Sequence, residues 1–347
     1  MSAMTTLRTA LAVAAAVAVP VTFTIGASAV PQAAAQAQSS MNDRAKFVGT
    51  FSLVVTEAKD ASGKWAPTPD FNSIGYITYA DTGHMGVHIM PRVRPRFASN
   101  PPTPAEAQAA LRGYTAYFGS FSVNDKDKLV THHRVGHLDG GTPDFVRYYD
   151  FVPDPRNPGG GFERLILTPA PATGGKEQAT RRLVWERMPL APLTPEEKKF
   201  VGFHKLLYTD SYRMKDGKEV FHGDRVETRA GTSYIIYTPS GHMMVHLMDK
   251  TGPIRSAAGQ QRTPEDALKV YRSYTGYFGR FATYENHTPQ FVFHSQLGST
   301  NPGRYADQKR LYQFTGNVLR LGTPPSLNAA GELAGGHLYW ERLPPTK

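Results

Sequence analysis

One short stretch occurs twice and governs what the chain can become. Gly83-His84-Met85-Gly86-Val87-His88-Ile89-Met90 returns as Gly241-His242-Met243-Met244-Val245-His246-Leu247-Met248. The landmarks around each copy keep the same order, so one design is used twice. Each copy opens on an apolar strand-like run, Lys46 to Val55 in the first and Phe200-Val201-Gly202 onward in the second. Gly75 to Ala80 then alternates Tyr76 and Thr78 against Ile77 and Tyr79, the period of a half-buried strand. Ala80-Asp81-Thr82-Gly83 and Thr238-Pro239-Ser240-Gly241 read as turns closed by a left-handed glycine. The repeated stretch is therefore the second strand of a hairpin.

Thr103-Pro104-Ala105-Glu106 is a helix start with a capping Thr, a first-turn Pro and a Glu completing the box. Thr263-Pro264-Glu265-Asp266 repeats it. Leu111, Tyr114 and Phe118, and later Tyr271, Tyr274 and Phe278, follow at helical spacing. The spacing predicts helices carrying Tyr114, Tyr117, Tyr274 and Tyr277 and ending at Gly119 and Gly279. Leu129–Leu138, Asp144–Val152 and Phe162–Thr168 are further strands, with Gly159-Gly160-Gly161 in a turn. Trp185-Glu186-Arg187 and Trp340-Glu341-Arg342 close the copies, each Trp expected to plug a barrel floor with its N–H bonded. Many short strands with one helix predict an all-β protein of two antiparallel barrels or sandwiches.

The 347 residues allow two domains of about 150 residues each. Residues 1–29 read as a signal peptide, with Arg8, an apolar run from Leu11 to Ile25 and cleavage after Ala27-Ser28-Ala29. An Ala/Gln/Ser-rich leader follows over 30–44, then a first barrel over 45–189, a Pro-rich linker over 190–197 and a second barrel over 198–345. The expected location is secreted or periplasmic. No stretch beyond the signal is long and apolar enough to span a bilayer, so no membrane span is expected in the mature chain. There is no cysteine, which excludes disulfides even in an oxidising compartment. The charge of +10 comes from scattered Lys and Arg rather than a basic run, so nucleic acid is not an expected partner.

Phe47-Val48-Gly49-Thr50-Phe51, the Gly75-Tyr76-Ile77-Thr78-Tyr79 hairpin, Gly-His-Met, Tyr117-Phe118-Gly119, Val130-Thr131-His132-His133 and Val146-Arg147-Tyr148-Tyr149 together resemble the bacterial and fungal lipocalin-like domain family. The likeness covers about 46–188 and again about 199–344, the second copy being more divergent. It implies two tandem lipocalin-like antiparallel β-barrels, each with a short helix. Barrels of that type carry small apolar molecules, and some relatives are cyclases or isomerases; the tandem departs from the single-domain pattern of the family.

His84 and His88 share one strand face, as do His242 and His246. With Met244 and Met248 they invite a copper site. Residues four apart in a strand lie about 13 Å apart, however, too far to share one ion, so no metal is expected. His132 and Arg147 match His294 and Arg310, a pairing able to meet a carboxylate or phosphate; the bland alternative is a structural pairing with Glu186 or Glu341. The candidate ligand-binding set is thus His84, His88, Tyr114, Tyr117, His132, Arg147, His242, His246, Tyr274, Tyr277, His294 and Arg310. No Gly-x-Ser-x-Gly, zinc-protease helix or phosphate loop is present, and no cofactor is expected. The expected partner is a small hydrophobic or amphipathic ligand with a polar or acidic end. A cofactor-free isomerase, cyclase or hydrolase, with His132 and Tyr117 as an acid–base pair, and a module with filled barrels are the alternatives.

Overall fold

The computed structural model describes residues 43–138, 144–156, 162–171, 173–251, 262–302 and 307–346. The signal segment, most of the leader and Gly159-Gly160-Gly161 lie outside the described residues.

The first copy runs β1 (Gly49–Lys59), β2 (Trp65–Pro67), β3 (Ser73–Tyr79), β4 (His84–Pro91), α1 (Pro104–Leu111), β5 (Thr115–Asn124), β6 (Leu129–His137), β7 (Asp144–Pro153), β8 (Phe162–Pro169) and β9 (Arg181–Arg187). After α2 (Pro195–Phe200) the second copy runs β10 (Gly202–Lys215), β11 (Lys218–Phe221), β12 (Tyr234–Tyr237), β13 (His242–Met248), α3 (Pro264–Ser273), β14 (Tyr274–Tyr284), β15 (Phe291–Ser299), β16 (Gln308–Thr315), β17 (Val318–Gly322), β18 (Ser326–Leu327) and β19 (Leu333–Arg342). Pairing of β1 with β9 closes the first antiparallel sheet into a barrel of β1 and β3–β9, with β2 as an extra edge strand. Pairing of β10 with β19 closes the second, with β11 and β18 as edges. All-β architecture in two tandem lipocalin-like barrels is what the sequence predicts. Among the described residues no helix is long and apolar enough to cross a membrane.

The hairpin turns form as expected, Gly83 and Gly241 sitting at φ +87° and +75°. The helices do not. α1 stops at Leu111, where Gly113 takes φ +70° and turns the chain out. Tyr114 precedes β5 and Tyr117 lies in it, while Tyr274 and Tyr277 lie in β14, so none of the four is helical. Gly119 and Gly279 are strand residues at bulges, not helix stops. A Cβ at either would overlap the backbone carbonyl of His133 or Ser295.

Alternation along the repeated strand divides two cores. Met85 and Val87 of β4 point into the first barrel with Phe51, Tyr79 and Trp185, and Phe47 joins them edge-on to Tyr79 at 5.0 Å. Met243 and Val245 of β13 point into the second with Leu206, Tyr237 and Trp340, and Phe200 joins them edge-on to Tyr237 at 5.1 Å. The opposite faces build a third core shared by both copies: Tyr76, Met90, Tyr114 and Phe118 pack with Tyr234, Met244, Met248, Tyr274 and Phe278. The two barrels therefore meet through equivalent strands, and two of the ring contacts between them form an equivalent pair. Tyr76 meets Phe278 at 5.3 Å and Phe118 meets Tyr234 at 4.5 Å between ring centres. Arg94 donates to the Ser299 carbonyl across the seam, and Arg262 donates to the Leu138 carbonyl in return, at 2.5 Å. The segments after β9 and β19 also cross over. The Ala191 amide donates to Pro239 O at 2.9 Å, on the hairpin of the second barrel, and the Thr346 amide to Thr82 O at 2.6 Å, on the hairpin of the first.

Candidate functional site

The twelve candidate residues divide between the seam and the barrel interiors. His84, His88, His242, His246, Tyr114 and Tyr274 lie on or beside the outward face of β4 and β13, buried between the barrels rather than around a ligand cavity. His88 and His246 stack at 4.2 Å and 16°, and their Nδ1 atoms pair with Tyr114 and Tyr274 hydroxyls at 2.8 and 2.6 Å. His84 stacks on Phe203 at 5.5 Å, and His242 meets Tyr76 edge-on at 4.9 Å. Burial holds His88 down to about 3 and His242 to about 4. Among the described residues no group of three or more His, Asp or Glu is placed to hold a metal ion.

The remaining residues do converge inside the barrels. His132 is fully buried, its Nε2 paired with Tyr79 OH at 2.8 Å and its Nδ1 with Tyr117 OH at 2.9 Å. His294 repeats this with Tyr237 OH at 2.8 Å and Tyr277 OH at 3.0 Å. Each barrel thus holds a Tyr–His–Tyr chain strung across β3, β5 and β6 or β12, β14 and β15. Burial, then the positive charge of Arg310, keeps His294 neutral with its pKa at about 3; burial and Arg147 push His132 the same way. Burial raises Tyr277 to about 12, with Arg310 opposing. Sequence reasoning missed Tyr79 and Tyr237, although each stands five residues before its repeated His in both copies.

The second barrel contains a cavity of ≈ 440 Å³. Tyr277, His294, Gln296, Gln308, Arg310 and Trp340 form its polar wall, and Ile235, Val245, Leu247, Leu321 and Leu338 its apolar one. Arg310 is half-buried, and its Nη2 donates to Gln308 Oε1. Among the described residues, Gln296 Oε1, an acceptor, and Trp340 Nε1, a donor, are buried on this wall without hydrogen-bond partners. A buried unpaired amide or indole is costly, so these atoms suit a bound molecule or water that pairs with them. Both closing Trp residues are buried as expected, yet neither Trp185 nor Trp340 has its N–H bonded among the described residues. The alternative partners of the two Arg residues are engaged elsewhere: Glu186 bridges to Arg156 and Arg164, and Glu341 to Lys205. Phe97 of the other copy meets Tyr271, which lines this cavity, edge-on at 5.3 Å.

Comparison with known proteins adds three findings. The model of a lipocalin-like domain family matches residues 48–188 and again 228–343. A solved structure of a protein of unknown function from the DUF3598 family of Nostoc punctiforme is similar, with 8% identity, a TM-score of 0.21, and coverage of 88% of this chain and 99% of that one. So is a double mutant of the vaccine antigen transferrin binding protein B from Haemophilus parasuis, with 10% identity, a TM-score of 0.22, and coverage of 86% of this chain and 59% of that one. No curated protein matches.

Proposed function

The chain belongs to the lipocalin-like domain family in two tandem copies, and from that premise we propose that it is an exported binding protein whose second barrel takes a small, mostly apolar molecule with an acidic end. The observation that carries the reading is the cavity of ≈ 440 Å³ with Arg310 on its wall. That volume lies within the usual range of small-molecule sites, about 300–1,000 Å³. The aliphatic wall suits a hydrocarbon body, each buried methylene contributing about 0.8 kcal/mol before association costs. Arg310 offers the guanidinium that a carboxylate pairs with, and Tyr277 stands beside it. The unpaired Gln296 Oε1 and Trp340 Nε1 add one acceptor and one donor, so a hydroxyl or amide on the body of the ligand would be held as well. Export rests on the N-terminal Arg8, the apolar run and Ala27-Ser28-Ala29.

Turnover is less well supported. A neutral His294 with both ring nitrogens committed to tyrosines, and a Tyr277 held near 12, do not supply a base poised at neutral pH.

Decanoate and decanol provide the test, by calorimetric titration of the purified chain. Decanoate should bind, and Arg310→Ala should weaken it about 10- to 100-fold, the worth of a hydrogen bond to a charged group, while decanol binding holds. Equal loss of both compounds, or no binding of either together with a bare mass in native mass spectrometry of exported protein, overturns the reading.

A further inference from the structure

We propose that the first barrel is occupied by its own side chains, Arg134 and Phe145 standing where the second barrel keeps its cavity, so that one chain has one binding barrel and one self-filled barrel. The inference rests on reading the second barrel as the binding one.

Strand register makes the comparison position by position. Gly119 pairs with Arg134 and Gly279 with Gln296, so Arg134 and Gln296 are equivalent. His132 pairs with Phe145 and His294 with Gln308, so Phe145 and Gln308 are equivalent. Around these two positions the walls agree. Tyr117, His132, Arg147, Leu183 and Trp185 have Tyr277, His294, Arg310, Leu338 and Trp340 as counterparts. The first barrel has therefore kept the polar chain and the outer arginine, with Arg134 and Phe145 in place of Gln296 and Gln308 beside them, and His137 in place of Ser299.

The change fills space. The Arg134 guanidinium lies 3.6 Å above the Phe145 ring centre and 5.8 Å from that of Tyr117. Phe145 in turn meets Tyr117 edge-on at 5.3 Å. A cation over an aromatic face, shielded from water as Arg134 is, is an attractive and well-ordered arrangement. It covers Tyr117, whose counterpart Tyr277 faces the cavity of the second barrel. It also sets a fixed positive charge beside Arg147, where an incoming carboxylate would meet its partner already walled off by the phenyl ring. Arg147 also lies over that ring, at 4.5 Å from its centre. Two glutamines at these places leave the second barrel open; a guanidinium on a phenyl ring shuts the first.

Calorimetric stoichiometry with decanoate tests this on the full chain. The wild type should bind one equivalent. Arg134→Gln with Phe145→Gln should bind two, and Gln296→Arg with Gln308→Phe should bind none. Phe145→Gln alone serves as a milder opening if the double variant melts early, and thermal melting of each variant reports its fold. Two equivalents on the wild type would overturn the inference and leave the binding function standing. So would one equivalent on every folded opening variant. No binding to the wild type, with one site appearing on opening, would sink the reading of the second barrel and uphold the plug in the first. Absence of binding in all four proteins would overturn both.

Discussion

His88 and His246 lie face to face at 4.2 Å, each held from behind by a tyrosine hydroxyl, at the centre of the seam between the barrels. Neither carries charge there. Burial lowers His88 to about 3 and His246 well below its ordinary value, and a proton on one would repel a proton on the other. In the unfolded chain both titrate near 6.5. The folded pKa is thus depressed, and below pH 6.5 the unfolded state takes up protons that the folded state refuses. Each such histidine should therefore cost about 1.4 kcal/mol of stability per pH unit, from about 6.5 downward until its folded pKa is reached. Urea melts between pH 7 and 4 should show this slope. His88→Gln with His246→Gln should make it shallower by the share of these two, leaving the part that the buried His132, His242 and His294 supply; an unchanged slope would assign the acid sensitivity to those other groups.

The two barrels should unfold as one cooperative unit, because their shared core draws on both copies. Phe118 and Phe278 are fully buried in it, and truncating either to Ala should cost about 3–5 kcal/mol. Calorimetry should show one transition for the wild type. The double variant Phe118→Ala/Phe278→Ala should split it in two, each barrel then melting on its own interior.

Glycine at the strand bulges is required by backbone, not by side chains. Gly119→Ala or Gly279→Ala would press a methyl against a carbonyl of the neighbouring strand, which cannot rotate away. We expect a loss at or above the usual overpacking range of about 1–3 kcal/mol. Gly86→Ala meets only the tip of Ile236, which can swing aside, and should cost less. Denaturant midpoints of the three variants give the order directly.

Trp340 lines the cavity while Trp65 and Trp185 do not, so ligand entry should alter indole emission through one residue. Decanoate should shift or quench the fluorescence of the wild type and of Trp185→Phe, and the response should vanish in Trp340→Phe. A response that survives Trp340→Phe would place the ligand elsewhere.

Much of the fold was legible because repetition confirms pattern. Alternation, turn glycines and capping boxes each occurred twice, and the strands over 129–138, 144–152 and 162–168 fell close to the observed Leu129–His137, Asp144–Pro153 and Phe162–Pro169. The site was legible only in its interior half. His132 with Tyr117, and Arg310 with His294, are brought together. His84, His88, His242 and His246 were correctly placed on one strand face, but period two cannot say which face looks inward. A clue was present: Gly83 to Met90 holds no Lys, Arg, Asp or Glu on either face, and a strand without such charged residues on both faces is covered on both. Tyr114 and Tyr274 misled because aromatics three or four apart fit a helix, while a left-handed Gly113 ends the first helix early and the second runs directly into its strand. Gln296 and Gln308 gave no local signal, since they matter only through what their counterparts fill.

The crossing of the tails has a consequence for how the chain is threaded. Thr346 and Arg44 both abut Gly83, on the hairpin whose counterpart, Gly241, is covered by Ala191 of the connecting segment. The first and last described residues thus come together where, half a turn away, the peptide runs unbroken from one copy to the other. The path is a ring with a single gap. A circular permutant that closes the gap between Thr346 and Asp43 with a short joint, and opens the ring near Leu190, would draw the same loop from a different starting point.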